Sequence, residues 1–205
     1  ASESEQKELY SVAYKLLHVA KRTRPDILPA TQYLTTRVQK PNKDDIKKSK
    51  RVLRYLNGTR ELGIRIQCHK PLAIHAYIDA SYAIHDDMRS QTGCVITMGA
   101  GHVYVSSSKQ KINVKSSTES EFVGVSDKAS QVIWCREVLA WLLNQNNPPA
   151  AIIHEDNQAT IHMSRHNRPM SEQSRHISIR RYFWTDRVKK GEIEMLHCPT
   201  DSMIA

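Results

Sequence analysis

No stretch of this 205-residue chain holds the roughly 20 consecutive apolar residues that span a bilayer, so no membrane partner is expected. The first nine residues are mostly polar and acidic, unlike the basic-then-apolar start of a secretory leader. The chain opens on Ala1 rather than Met, which points to a fragment, a processed product or a trimmed chain. Cysteines are few: Cys68, Cys94, Cys135 and Cys198, none at C-x-x-C spacing. That argues against a zinc site, and they are expected to be buried, reduced thiols of an intracellular protein. There is no fixed-period repeat and no low-complexity tract. Acidic residues are also scarce, 21 against 30 lysines and arginines, for a net charge of +9 and a pI near 9.4. Such an excess suits a polyanionic partner through phosphate neutralisation, although a soluble protein with a basic wet face has the same composition.

What is present divides by texture. Residues 1 to about 66 read as helices. Leu9, Val12, Ala13, Leu16, Leu17 and Ala20 fall at helical spacing. A second helix is expected from Pro25, a residue suited to a first helical position, to about Val38, with Pro29 an awkward occupant of its first turns. A third runs from about Asn42 to Leu56 and closes at Gly58. Nine basic residues lie between Arg37 and Arg60, opposed only by Asp44 and Asp45. From about residue 62 the periodicity changes to two. Strands are expected at 62–68, 72–79, 92–98 and 102–108, the last two joined through Gly99 and Gly101. A helix follows from about Ser117 through Ala129, continuing or restarting to Leu143 before the break at 146–149. A strand at 151–155, helices at 157–164 and 176–189, and a strand at 192–198 complete the chain. Strands joined by short turns should be antiparallel, and those reached by helical crossovers parallel.

Three carboxylates stand where chemistry would need them. Asp79 ends a strand in Tyr-Ile-Asp-Ala-Ser, Glu119 opens a helix in Ser-Ser-Thr-Glu-Ser-Glu, and Asp156 ends a strand in His-Glu-Asp-Asn-Gln. Two adjacent strand ends and a helix start converge at one edge of such a sheet. Crowded carboxylates raise one another's pKa, and hard divalent cations with oxygen preference relieve the conflict. The structural alternatives remain open: Asp79 fits a turn, Ser116-x-x-Glu119 and Thr118-x-x-Glu121 both fit a capping box, and Asp156 fits a helix N-cap.

At these same residues the sequence resembles the copia-type retrotransposon Pol polyprotein. The strings are "YIDASYA" at 77–83, "MRSQTGCVI" at 88–96, "SSSKQKINVKSSTESEFVGVSD" at 106–127, "EDNQAT" at 155–160 and "RHISIRRYF" at 175–183. "TRPDI" at 23–27 and "KRVLRYLNGT" at 50–59 resemble the segment joining that family's reverse transcriptase to its ribonuclease H. The resemblance implies an α/β fold, an RNase H-like mixed five-stranded sheet flanked by helices. Residues 67–205 would form it, preceded by a small all-helical connection or thumb-like segment at 1–66. It implies a metal-dependent endonuclease that cleaves the RNA strand of RNA–DNA hybrids during reverse transcription, by two-metal hydrolysis leaving a 3′-hydroxyl and a 5′-phosphate. Asp79, Glu119 and Asp156 would bind Mg²⁺, or Mn²⁺, with Glu121 a helix residue and not a ligand. No small-molecule cofactor is implied. The partners would be the hybrid and the remainder of the reverse transcriptase polyprotein, in the cytoplasm (within a virus-like particle) or the nucleus.

Two departures stand out. The family carries a fourth acid in an Ala-Asp pair shortly after the last strand. Here "HCPTDSMIA" matches the approach and the chain stops at Ala205, while Asp201 falls too early, in the loop. A truncated C-terminal helix and an incomplete second metal site are therefore expected, and with them the alternative of a catalytically weak or inactive module that still binds nucleic acid. The polymerase's Tyr-x-Asp-Asp motif is also missing, since Tyr77-Ile78-Asp79-Ala80 lacks the second acid, so no polymerase activity is expected.

A hybrid would be held through its phosphates. Lys109, Lys111 and Lys115 flank the passage into the helix at Glu119, and Arg175 and Arg180 belong to a basic run between Arg165 and Lys190. Asn157 and Gln158 would hydrogen-bond a phosphate or sugar, or merely cap a helix. His176 suits a proton shuttle or a structural role. Trp134, Leu139, Trp141 and Leu142 share helical spacing and are expected in core or subunit contacts before base stacking.

Overall fold

The computed structural model describes residues 2–165 and 175–205. The chain divides into two compact units, residues 1–65 and 66–205. Among the described residues no helix is long and apolar enough to cross a membrane.

The first unit is three helices: α1 (Glu3–Arg22), α2 (Leu28–Arg37) and α3 (Lys43–Gly58). A capping box opens α1: the Ser2 hydroxyl accepts from the Glu5 N–H and the Glu5 carboxylate accepts from the Ser2 N–H. Asn42 and Asp45 repeat the arrangement at α3. Leu9, Ala13, Leu16 and Ala20, one stripe of α1, are buried. Pro25 starts a short 3₁₀ turn (Pro25–Ile27) that leads into α2. Pro29 sits in the first turn of α2, where a missing N–H costs nothing. The Arg24 guanidinium, bonded to Asp26 and to the carbonyl and hydroxyl of Thr59, ties the turn to the end of α3.

The second unit is built on five strands: β2 (His75–Ser81), β3 (Gln91–Thr97), β5 (Tyr104–Lys109), β6 (Ala151–Glu155) and β7 (Ile193–His197), in the order β5-β3-β2-β6-β7. The pairs β2–β3 and β3–β5 are antiparallel, and β2–β6 and β6–β7 are parallel. Helices α4 (Ser117–Leu142), α5 (Gln158–Arg165) and α6 (Arg175–Lys189) complete this mixed, helix-flanked five-stranded sheet. Ile74, Ala76, Ile78, Cys94, Ile96 and Ile153 pack against Phe122, Val125, Ala129, Val132 and Leu139 of α4. Trp184 of α6 is fully buried beside Phe122, ring centroids 5.4 Å apart.

The stretch 62–68 was expected to be a strand. Only β1 (Gln67–Cys68) forms, pairing over two residues with β4 (Gly99–Ala100). Leu62 and Ile66 are exposed: among the described residues the alternation at 62–66 finds no neighbouring strand to pair with and no core to face. Cys68 is exposed on this small ladder, whereas Cys94, Cys135 and Cys198 are buried and all four are free thiols. Gly99 is indispensable there, because a Cβ on it would lie 2.2 Å from the Gln67 carbonyl. Helix α4 runs unbroken for 26 residues instead of restarting.

Candidate metal centre

Strands β2 and β6 are parallel neighbours, so their C-terminal ends lie side by side. Asp79 stands near the end of β2, and Asp156 directly follows β6. The N-terminal turns of α4 come to the same rim because the helix approaches the sheet closely at Gly124. A Cβ there would lie 3.2 Å from the Thr92 side chain and 3.6 Å from Ala80. Gln110 latches the approach from within: its buried amide donates to the Thr92 hydroxyl at 3.0 Å and to the Ser120 carbonyl at 2.8 Å.

This packing brings one carboxylate oxygen each from Asp79, Glu121 and Asp156 within 4.8 Å of one another. The glutamate of the group is Glu121, not Glu119. Ser116 is the N-cap of α4, accepting from the Glu119 N–H, and the Glu119 carboxylate turns back to accept from the Lys115 N–H at 2.7 Å. Two positions on a helix differ by about 200° of rotation, so when residue 121 faces the sheet, residue 119 faces away. Glu119 thus caps the helix, while Glu121 is only 6% exposed.

Burial pushes the Glu121 carboxyl up to about 9, aided by Glu155 and Asp79 nearby. Asp79 is raised by its burial and then by Asp156. Behind the rim lies a fourth acid that the sequence reading did not single out. Glu155, the last residue of β6, is fully buried and burial raises it to about 8, partly offset by the Asn157 N–H it accepts. One oxygen each of Glu121 and Glu155 is buried without a hydrogen-bond donor. Both residues had a signal. Ala151, Ile153 and Glu155 share one face of a period-two strand, and Glu121 shares a helical stripe with Val125, Val132 and Leu139.

The donor set fits a hard divalent cation: three carboxylates, no sulfur or nitrogen, and an orphaned buried oxygen. The Thr200 hydroxyl donates to one carboxylate oxygen of Asp156 at 3.1 Å and steadies it. Asp201 is exposed in a 3₁₀ turn beside it (Thr200–Ser202). The backbone of Ala205 lies against Gly93, the residue paired with Asp79 across the β2–β3 ladder.

The expected substrate contacts are dispersed. Lys109 pairs with Asp87 at 2.7 Å, and Lys111 and Lys115 are exposed. Asn157 caps α5, its side-chain oxygen accepting from the Ala159 and Thr160 N–H groups, while Gln158 is exposed on the first turn. Arg180 pairs with Asp127. The side chains of Arg175 and His176 lie outside the described residues.

No family model matches the chain. It is 33% identical over 185 residues to the retrovirus-related Pol polyprotein from transposon RE1 of Arabidopsis thaliana, covering 89% of this chain and 12% of the relative. It is 27% identical over 193 residues to the corresponding polyprotein from transposon TNT 1-94 of Nicotiana tabacum, covering 93% and 14%. The chain's homologues are copia-type Pol polyproteins from transposons. This Pol segment spans about an eighth of the length of the RE1 polyprotein. Among solved structures it is similar to LC11-RNase H1, isolated from compost by a metagenomic approach, with a TM-score of 0.45 and 12% identity over 63% of this chain and 86% of that one. It is also similar to the prototype foamy virus protease-reverse transcriptase, with a TM-score of 0.40 and 12% identity over 94% of this chain and 24% of that one.

Proposed function

We propose that residues 66–205 act as a divalent-metal-dependent nuclease on the RNA strand of an RNA–DNA hybrid, with Asp79, Glu121 and Asp156 as the metal-holding carboxylates. The observation that carries this reading is the meeting of those three acids at one sheet rim, with an unpartnered buried oxygen on Glu121. Such a cluster is costly without a cation.

A divalent cation, Mg²⁺ or Mn²⁺, when bound there supplies the positive charge and the water activation that phosphodiester hydrolysis needs. The chain's own residues do the rest. Asp79 and Asp156, on adjacent strand ends, fix two donor oxygens on rigid backbone. Glu121 supplies a third from a helix whose position is locked by Gln110 and Gly124. Thr200 holds one oxygen of Asp156. Glu155 stays buried behind the rim, its carboxyl pushed up by burial. Exposed Lys111 and Lys115, before α4, offer cations to the hybrid's phosphates, while the RNA 2′-hydroxyls and A-form shape supply the discrimination.

The test is cleavage of a labelled RNA–DNA hybrid in Mg²⁺ or Mn²⁺. Asp79→Asn and Glu121→Gln should each abolish product, while Glu119→Gln should leave most of it. Unchanged cleavage by Asp79→Asn would remove the proposal, and loss in Glu119→Gln with survival of Glu121→Gln would reassign the third ligand.

A further inference from the structure

The C-terminal half of α4 carries a surface that the nuclease reading does not use. Trp134, Trp141 and Leu142 are 61%, 79% and 64% exposed, with Val138 half-buried between them. At i, i+4, i+7 and i+8 these residues form one stripe. Leu139, on the flank of the helix that turns inward, is in the core. Soluble proteins rarely leave two tryptophans side by side in water, and such patches mark interaction sites. The segment carrying them is rigid: the Arg136 guanidinium donates to the Pro148 and Pro149 carbonyls and clamps the returning loop.

We propose that this stripe is a self-association surface, through which two copies of the chain pair with their α4 ends antiparallel about Val138. Three observations favour a second copy as the occupant. The first is charge. The chain carries +9 overall, which opposes self-association over most of its surface. Between residues 129 and 147 the only charges are Arg136 and Glu137, bonded to each other at 2.8 Å. Along this stretch of α4 a like copy therefore meets a helix segment of no net charge. The second is shape. An isologous contact must be self-complementary. Antiparallel pairing about Val138 sets each Trp134 against the other copy's Leu142, and each Trp141 beside the other copy's Trp134. The third is area. With a tryptophan offering up to ~250 Å², the exposed parts of the two indoles amount to ~350 Å² per copy. With Leu142, Leu143 and Val138 the pair buries on the order of 1,000 Å², the lower bound for a specific interface.

Sedimentation equilibrium of the full 205-residue chain, from micromolar to sub-millimolar concentration, tests this. The expected result is a reversible monomer–dimer equilibrium, shifted to monomer by Trp134→Glu and by Trp141→Glu, with far-UV circular dichroism unchanged. Val138→Cys, placed in a Cys68→Ser background, should oxidise to a disulfide-linked dimer, since the residue lies on the two-fold axis. A chain that stays monomeric throughout overturns the proposal and leaves the stripe to a different partner. A dimer indifferent to both tryptophan substitutions, or a Val138→Cys variant that does not cross-link, overturns the stated interface.

Discussion

Glu121→Gln separates the electrostatic cost of the carboxylate cluster from its chemistry. The parent side chain ionises near 4.5 in an unfolded chain and near 9 in the fold. Because the folded value is the higher one, its contribution to stability is fully present below pH ~4.5 and fades as pH rises toward ~9. At pH 7 the folded protein retains a proton that the unfolded chain has released. That difference of about 2.5 units, at roughly 1.4 kcal/mol each, destabilises the metal-free fold by about 3 kcal/mol, of which water penetration and side-chain relaxation return part. Glutamine does not titrate. In EDTA, Glu121→Gln should therefore melt close to the parent near pH 5 and clearly above it at pH 7–8, by roughly 2–4 °C per kcal/mol. Thermal unfolding followed by circular dichroism measures the difference directly. Adding Mg²⁺ should raise the parent's melting point, by about 2.7 kcal/mol of binding linkage at a hundredfold excess over Kd, and raise the variant's much less. A melting-point difference independent of pH, or an equal Mg²⁺ response in both proteins, would refute the argument.

Three further outcomes follow from the packing. Gly124→Val should push α4 off Thr92 and Ala80, costing about 1–3 kcal/mol of overpacking strain and lowering hybrid cleavage more than a distant change of equal stability cost; paired melts and cleavage rates decide it. Trp184→Ala should cost about 3–5 kcal/mol in urea unfolding, since the ring is fully buried against Phe122. Gln110→Ala should leave the Thr92 hydroxyl and the Ser120 carbonyl without their buried donor, at about 1–3 kcal/mol, and reduce Mg²⁺ affinity measured by calorimetry because the start of α4 loses its latch.

Much of the architecture is written in local patterns. The stripe Leu9–Ala13–Leu16–Ala20, the alternation Ile74–Ala76–Ile78 and the Gly99–Gly101 turn each specify one element, and the short links between strands specify antiparallel pairing. Local pattern misleads where a partner is needed. Residues 62–66 alternate as a strand would, yet pairing is a property of two segments, and among the described residues no second one runs beside them. The candidate site shows the same limit at finer scale. Asp79 and Asp156 are legible because strand ends converge in any such sheet. Glu119 and Glu121 both satisfy a capping pattern, and motif resemblance favoured the first. The choice depends on the rotational phase of α4, which the Ser116 cap and the close approach at Gly124 set. Glu155 was not singled out, although the alternation of the strand at 151–155 turns it inward with Ala151 and Ile153.

The length of α4 has a consequence for assembly. From Glu121 to Trp141 the helix climbs about 30 Å, so one stiff rod carries acid chemistry at its head and indoles at its tail. A molecule seated on the tail stands clear of anything threaded past the head. Pairing by way of the tryptophans would therefore produce a two-headed particle whose carboxylate rims both stay open.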